Sequence, residues 1–242
     1  YCDEDYSDLQ KRAQHLYENT DYALIGNFCA HIYAGGQLLR GFELFMMDLI
    51  SNQKIACCIM ENLTNVFMER FDKYNEAVGK FVQIINVNDD LGTQDGPQLS
   101  PDLYRKIVRP YQEKLYQYIK RNSDIYLFLH TDGSVYDFIP DFIEMGVDIL
   151  NPVQFTAKNM DIRKLKSEFG HYLTFWGGGC DTQRVLPYGS PNEVKEEVRK
   201  RITELASSGG FIFSQVHNIL PDVPPQNIIA VYEAVRECSY KK

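Results

Sequence analysis

The stretch Ile125-Tyr-Leu-Phe-Leu-His130-Thr-Asp-Gly133 and then, after twelve more residues, Gly146-Val-Asp-Ile-Leu-Asn151 holds two short apolar runs, each stopping at a polar residue. Between them Tyr136, Phe138, Ile139, Phe142, Ile143 and Met145 recur at helical spacing, and Gly146 closes the helix. The reading is strand, loop, helix, strand. His130 and Asn151 stand at the carboxyl ends of the two strands, where α/β folds bind their ligands.

The pattern repeats outward in both directions. Strands are expected at 23–30, 81–87, 125–129, 147–150, 172–176 and 210–216, with helix between each pair. The first strand runs into a loop at Tyr33-Ala-Gly-Gly. Residues 40–50 and 55–78 read as helices, the second on the stripe Ile59, Leu63, Val66, Phe67, Phe71, Tyr74 and Val78. Ser100-Pro101-Asp102 and Ser190-Pro191-Asn192-Glu193 are helix starts, with Ser at the cap and Pro in the first turn. A helix is also expected over 159–169, and another opens near Pro224-Pro225. Such alternation implies parallel strands with right-handed crossovers. No linker divides the chain, so residues 1–242 are expected to form a single domain. Two architectures fit, a doubly wound open sheet and a (β/α)₈ barrel. Six strands are two short of the barrel's eight, although roughly 250 residues is its usual size.

Composition narrows the function. A net charge of −8 and a pI near 5.2 argue against a nucleic-acid surface or a polybasic membrane anchor. No apolar run approaches the roughly 20 residues that span a bilayer. The first residues carry neither a basic nor an apolar leader segment, so no secretory signal is expected. Six cysteines (Cys2, Cys29, Cys57, Cys58, Cys180, Cys238) lack metal or disulfide spacing and read as reduced thiols of a cytoplasmic protein. Of Cys57 and Cys58, at most one is expected to face the core.

Five strands end in groups able to do chemistry: Asp89, Asp90 and Gln94; His130 and Asp132; Asn151 and Gln154; Asp181 and Gln183; His217 and Asn218. Two histidines, each just after an apolar run, suit a metal site, because neutral imidazole joins carboxylates from separate strands as a zinc ligand. Plainer readings stand beside these. Asp132-Gly133 also reads as a turn, Asp89 as a helix cap and His130 as a hydrogen-bonded core residue. His31 reads as structural, His15 and His171 as surface residues. Gly177–Gly179 lacks the lysine and spacing of a phosphate loop, and reads as a close backbone approach. The convergence of strand ends is the signal.

Those same residues carry a resemblance. Asp89-Asp90-Leu-Gly-Thr-Gln94, Ser100-Pro-Asp, Pro110-Tyr, His130-Thr-Asp-Gly, Gly146-Val-Asp-Ile-Leu-Asn-Pro, Trp176-Gly-Gly-Gly-Cys-Asp-Thr-Gln183, His217-Asn-Ile and Pro225-Gln-Asn-Ile together resemble the uroporphyrinogen decarboxylase superfamily. The resemblance covers nearly the whole chain from about Tyr22. It implies a TIM (β/α)₈ barrel of which about six of eight strands are present, the carboxyl two-thirds of such a protein. A fragment, or a gene truncated at its start, is the expectation.

The superfamily has two functional branches. One decarboxylates uroporphyrinogen III without a cofactor. The other, the cobamide-dependent methyltransferases, holds zinc on a His-x-Cys pair and a later Cys, and moves a methyl group to or from a corrinoid protein. Here His130 matches the first ligand, Asp132 stands where the Cys would be, and His217 falls at or beside the second. The resemblance therefore implies zinc on His130, Asp132 and His217, with Cys180 a less favoured third ligand. Asp89, Asp90, His130 and His217 would be catalytic. Tyr33, Gln94, Asn151, Gln154, Asp181 and Gln183 would bind substrate. The wording around Asp89 and Trp176 leans to the methyltransferase-like branch. The expected partners are a methylated small molecule and a separate corrinoid protein, and a homodimer is admitted. The rivals are porphyrinogen decarboxylation and a non-catalytic remnant.

Overall fold

The computed structural model describes residues 6–239, and Cys2 lies outside them. Six strands are present among them, three in each of two compact units, and within each unit they pair in parallel in their order along the chain. That order requires a crossover after every strand, and helices supply them. The chain comprises two compact units. One is Tyr1–Asp90, Gln98–His130 and Asp137–Asp148; the other is Leu91–Pro97, Thr131–Tyr136 and Ile149–Lys242. Among the described residues no helix is long and apolar enough to cross a membrane.

The first unit runs α1 (Ser7–Asn19), β1 (Ile25–Ala30), α2 (Tyr33–Arg40), α3 (Phe42–Ser51), α4 (Gln53–Val78), β2 (Ile84–Asn88), α5 (Pro101–Leu103), α6 (Arg109–Asn122), β3 (Tyr126–His130) and α7 (Ile139–Glu144). β2 and β3 pair without interruption from Ile84↔Tyr126 to Asn88↔His130, which sets their polar ends side by side. β1 pairs with β2 through a bulge between Gly26 and Ala30, where Cys29 takes φ +53°. The Asn86 side chain accepts from the N–H groups of Phe28 and Cys29 at 2.8 and 3.1 Å, replacing the ladder bonds the bulge removes.

Three local expectations are corrected in this unit. Tyr33 opens a helix rather than a loop, because an outside carboxylate caps it. The helix expected over 40–50 breaks at Gly41, whose φ of +86° separates α2 from α3. The buried face of α4 is Ala56, Met60, Thr64, Phe67, Phe71, Tyr74 and Val78, so its amino half turns one residue away from the expected stripe. Small Ala56 and Thr64 face inward there; Thr64 tolerates this by donating to its own helix at Met60 O. Neither Cys57 nor Cys58 is buried, and the five described cysteines are free. The Ser100 cap is as expected, accepting from Leu103 N at 3.3 Å, but a π-turn over Tyr104–Val108 interrupts the helix after it. Pro110 lies just beyond and cannot donate to the preceding turn, which is the physical cause of the widened winding.

The second unit runs β4 (Ile149–Asn151), α8 (Ile162–Phe169), β5 (Thr174–Trp176), α9 (Val185–Tyr188), α10 (Pro191–Ala206), β6 (Phe211–Ile212) and α11 (Pro225–Ser239). β4, β5 and β6 pair in parallel through Leu150↔Phe175 and Trp176↔Ile212. β6 is far shorter than the expected 210–216. Its neighbour β5 ends at Trp176, where Gly177 and Gly178 turn to φ +113° and +73° and lose the extended geometry, although Gly177 N still donates to Ile212 O at 3.1 Å and Gly179 N to Ser214 O at 2.9 Å. Side chains added there would crowd Pro152 and Val153, so the glycine run is the close backbone approach expected of it. Cys180, Leu186, Val194, Val198, Val231 and Ala234 form the apolar core of α9, α10 and α11.

α10 opens on a complete capping box. Ser190 Oγ accepts from Glu193 N, and Glu193 Oε2 accepts from Ser190 N at 2.7 Å. Ser190→Ala is expected to cost about 1 kcal/mol in urea unfolding. A loss within error of zero would show that the box does not hold this helix.

Candidate functional site

In the first unit the chemistry sits where β2 ends. Asp89 is fully buried, and its carboxylate caps α2 from outside. Oδ2 accepts from Ile32 N at 3.1 Å and Oδ1 from Ala34 N at 2.8 Å. Gln112 Nε2 donates to Oδ2 at 2.8 Å, and Tyr104 Oη donates to Gln112 Oε1 at 2.7 Å. Burial pushes the Asp89 carboxyl above its ordinary range, against the pull of Gln112 and the helix N–H groups. Burial also pushes the Tyr104 phenol well up, so it stays a donor. The cap reading of Asp89 is the one observed. Tyr33 is fully buried; its hydroxyl donates to Gln98 Oε1 at 3.2 Å, and Gln37 donates to the same oxygen.

Asp90, next in the chain, is exposed. Its carboxylate and the His130 ring present ligand atoms within 4.8 Å of each other. Two ligands on one tetrahedral zinc at about 2.0–2.2 Å stand roughly 3.3–3.6 Å apart, so this pair is near enough to close on an ion by side-chain rotation. His31 holds Cys29 O at 2.7 Å and packs its ring against Phe67, as a structural histidine does.

In the second unit Asp132 and His217 meet, Nε2 to Oδ2 at 3.5 Å. They line a cavity of about 310 Å³ together with Gln94, Gln154, Gln183 and Asn218. The turn bearing Asp132 is fixed by backbone. Gly133 has φ +85°, its N–H donates to Gln154 Oε1 at 2.8 Å, and Gly92 lies so close that a methyl group on either glycine would strike the other strand end. Asp132-Gly133 is thus both a turn and part of a cavity wall.

Two expected substrate residues do structural work here. Asn151 Nδ2 donates to Trp176 O at 2.8 Å, tying the ends of β4 and β5. Asp181 Oδ1 accepts from the N–H groups of Gln183 and Arg184 at 2.8 and 3.2 Å, at the entrance to α9. Neither lines the cavity. Cys180 is buried against Glu197 Oε2 at 3.4 Å, and burial together with that carboxylate pushes its thiol up. A thiolate is disfavoured there.

Comparison with known proteins follows the same outline. The family model described as Uroporphyrinogen decarboxylase (URO-D) matches residues 11–238. The chain belongs to the uroporphyrinogen decarboxylase family. Curated relatives named uroporphyrinogen decarboxylase include one from Geobacter sulfurreducens, 26% identical over 188 residues, which are 77% of this chain and 50% of the relative. Another, from Chlorobium phaeobacteroides, is 27% identical over 220 residues, 88% of this chain and 57% of the relative. The chain spans about half the length of the curated relatives it matches. Among solved structures, a methyltransferase from Methanosarcina mazei superposes with a TM-score of 0.72 at 17% identity, over 96% of this chain and 64% of that one. That likeness speaks for the fold: an α/β chain with six strands of a TIM barrel of the uroporphyrinogen decarboxylase type.

Residues outside the expected set also matter. Gln112 is buried beneath Asp89, and it carries a signal in the sequence: it interrupts the apolar stripe Tyr104, Val108, Leu115 and Ile119. Thr182 lines the cavity with no sequence signal beyond its neighbours.

Proposed function

We propose that this family member is a zinc-assisted methyltransferase, moving a methyl group from a methoxylated or methylated small molecule to a corrinoid carried by a partner protein. The observation that carries the reading is the donor set. Asp90 and His130 converge at one strand end, Asp132 follows His130 by two residues, and Asp132 faces His217 across 3.5 Å. Imidazole nitrogen and carboxylate oxygen are good zinc donors, and the set is all oxygen and nitrogen. His130, Asp132 and His217 would hold the ion, with Asp90 a fourth donor. When bound, zinc would supply Lewis acidity at the donor oxygen. Gln94, Gln154 and Gln183 would hold the substrate, while Asn151 and Asp181 fix the backbone behind them. Asp89 orders α2 through its cap.

The rival reading, porphyrinogen decarboxylation, is favoured by the names of the curated relatives. It requires cations for eight carboxylates, and no Lys or Arg lines the cavity among the described residues.

Metal content decides between them. The purified chain is expected to carry about one zinc, lost in His130→Ala and His217→Ala. A folded sample with no bound metal would remove the zinc mechanism and put decarboxylation first.

A further inference from the structure

We infer that the cavity in the second unit takes an uncharged, oxygen-rich small molecule, a ring or short chain bearing hydroxyl and ether groups. This deepens the proposed function by naming the class of methyl donor, and rests on that reading only for the methyl group. The binding preference comes from the wall itself.

Size comes first. About 310 Å³ lies at the low end for small-ligand sites, roughly 300–1,000 Å³. At about 30 Å³ for each water-sized group it holds on the order of ten of them, one substituted ring.

Charge comes second. The polar wall is made of carboxamides, Gln94, Gln154, Gln183 and Asn218, with the Thr182 hydroxyl. Each amide offers both donors and an acceptor, the complement of a hydroxyl group, which also does both. Gln154 shows the arrangement in detail. Its oxygen is taken by Gly133 N at 2.8 Å, so its NH₂ is the end left to donate to a ligand ether or hydroxyl oxygen. Val216 and Leu220 supply an apolar patch for ring carbons or a methyl group. The acidic group on the wall is Asp132, with His217 Nε2 3.5 Å from its Oδ2. In the metal-free chain a ligand carboxylate would meet the Asp132 carboxylate with no guanidinium or ammonium on the wall to offset it.

Calorimetric titration of the metal-free 242-residue chain tests this with two neutral probes, methyl glucoside and a mono-O-methyl inositol, and one polyanion, benzenehexacarboxylate. The neutral probes are expected to bind, and Gln183→Ala and Asn218→Ala are each expected to weaken binding about tenfold. Both side chains are exposed, so neither variant threatens folding. Tighter binding of the polyanion, or no neutral probe bound, would overturn the inference. Neutral binding without methyl transfer to a corrinoid would leave it standing and count against the proposed function instead.

Discussion

Replacing Asp89 with alanine is expected to destabilise the fold by on the order of 3 kcal/mol, the largest single-residue loss anticipated outside the apolar core. The carboxylate receives Ile32 N, Ala34 N and Gln112 Nε2, all inside the protein. Alanine leaves those donors without an acceptor, and each buried orphan costs about 1–3 kcal/mol. It also uncaps α2, whose first residue, Tyr33, is fully buried. The Asp89→Asn variant keeps one acceptor oxygen and is expected to lose only about 1 kcal/mol. The sign of the pH dependence follows from burial. The folded carboxyl titrates above its unfolded value, so its stabilising contribution is full below about pH 3.9 and declines as pH rises through the folded value. Urea unfolding of both variants across that range tests this. A loss below about 1 kcal/mol for alanine, or a wild-type advantage over the asparagine variant that grows with pH, would mean the burial argument is wrong.

That cap shows where sequence reasoning succeeds and where it stops. Strand ends are legible because an apolar run that halts at Asp, His or Asn announces itself, and Asp89, His130 and Asn151 all stand at or next to the ends of β2, β3 and β4. Helix starts at Ser100 and Ser190 are legible because caps are local. The start of α2 is not, since its cap comes from Asp89, 56 residues beyond Tyr33 where the helix begins. Nothing near Tyr33 in the chain encodes it. β6 reads too long because regular strand geometry beside it stops at Gly177 and Gly178, whose positive φ an apolar run at 210–216 does not announce, even though hydrogen bonds from Gly177 and Gly179 continue along it. The α4 stripe slips in its amino half because bulk there does not mean burial, and Ala56 and Thr64 are the inward residues.

Asp132 is the residue at which the proposed chemistry is most exposed to test. It follows His130 by two positions, faces His217 at 3.5 Å and is about a quarter exposed, so its side chain ends at the cavity and not in the core. Asp132→Ala is therefore expected to leave unfolding free energy within about 1 kcal/mol of wild type. Zinc affinity and methyl transfer to a corrinoid are expected to fall by on the order of 10²-fold or more. Asp132→Cys is the informative partner, because thiolate is a stronger zinc donor than carboxylate and the resemblance places Cys at this position in the methyltransferase branch. It is expected to recover zinc to about one per chain, measured by metal analysis beside Asp132→Ala. Recovery of metal with altered transfer rates would tie Asp132 to the ion directly. Full zinc and full activity in Asp132→Ala would leave Asp132 as the turn residue that Gly133 already suggests, and would move the ligand set to Asp90, His130 and His217.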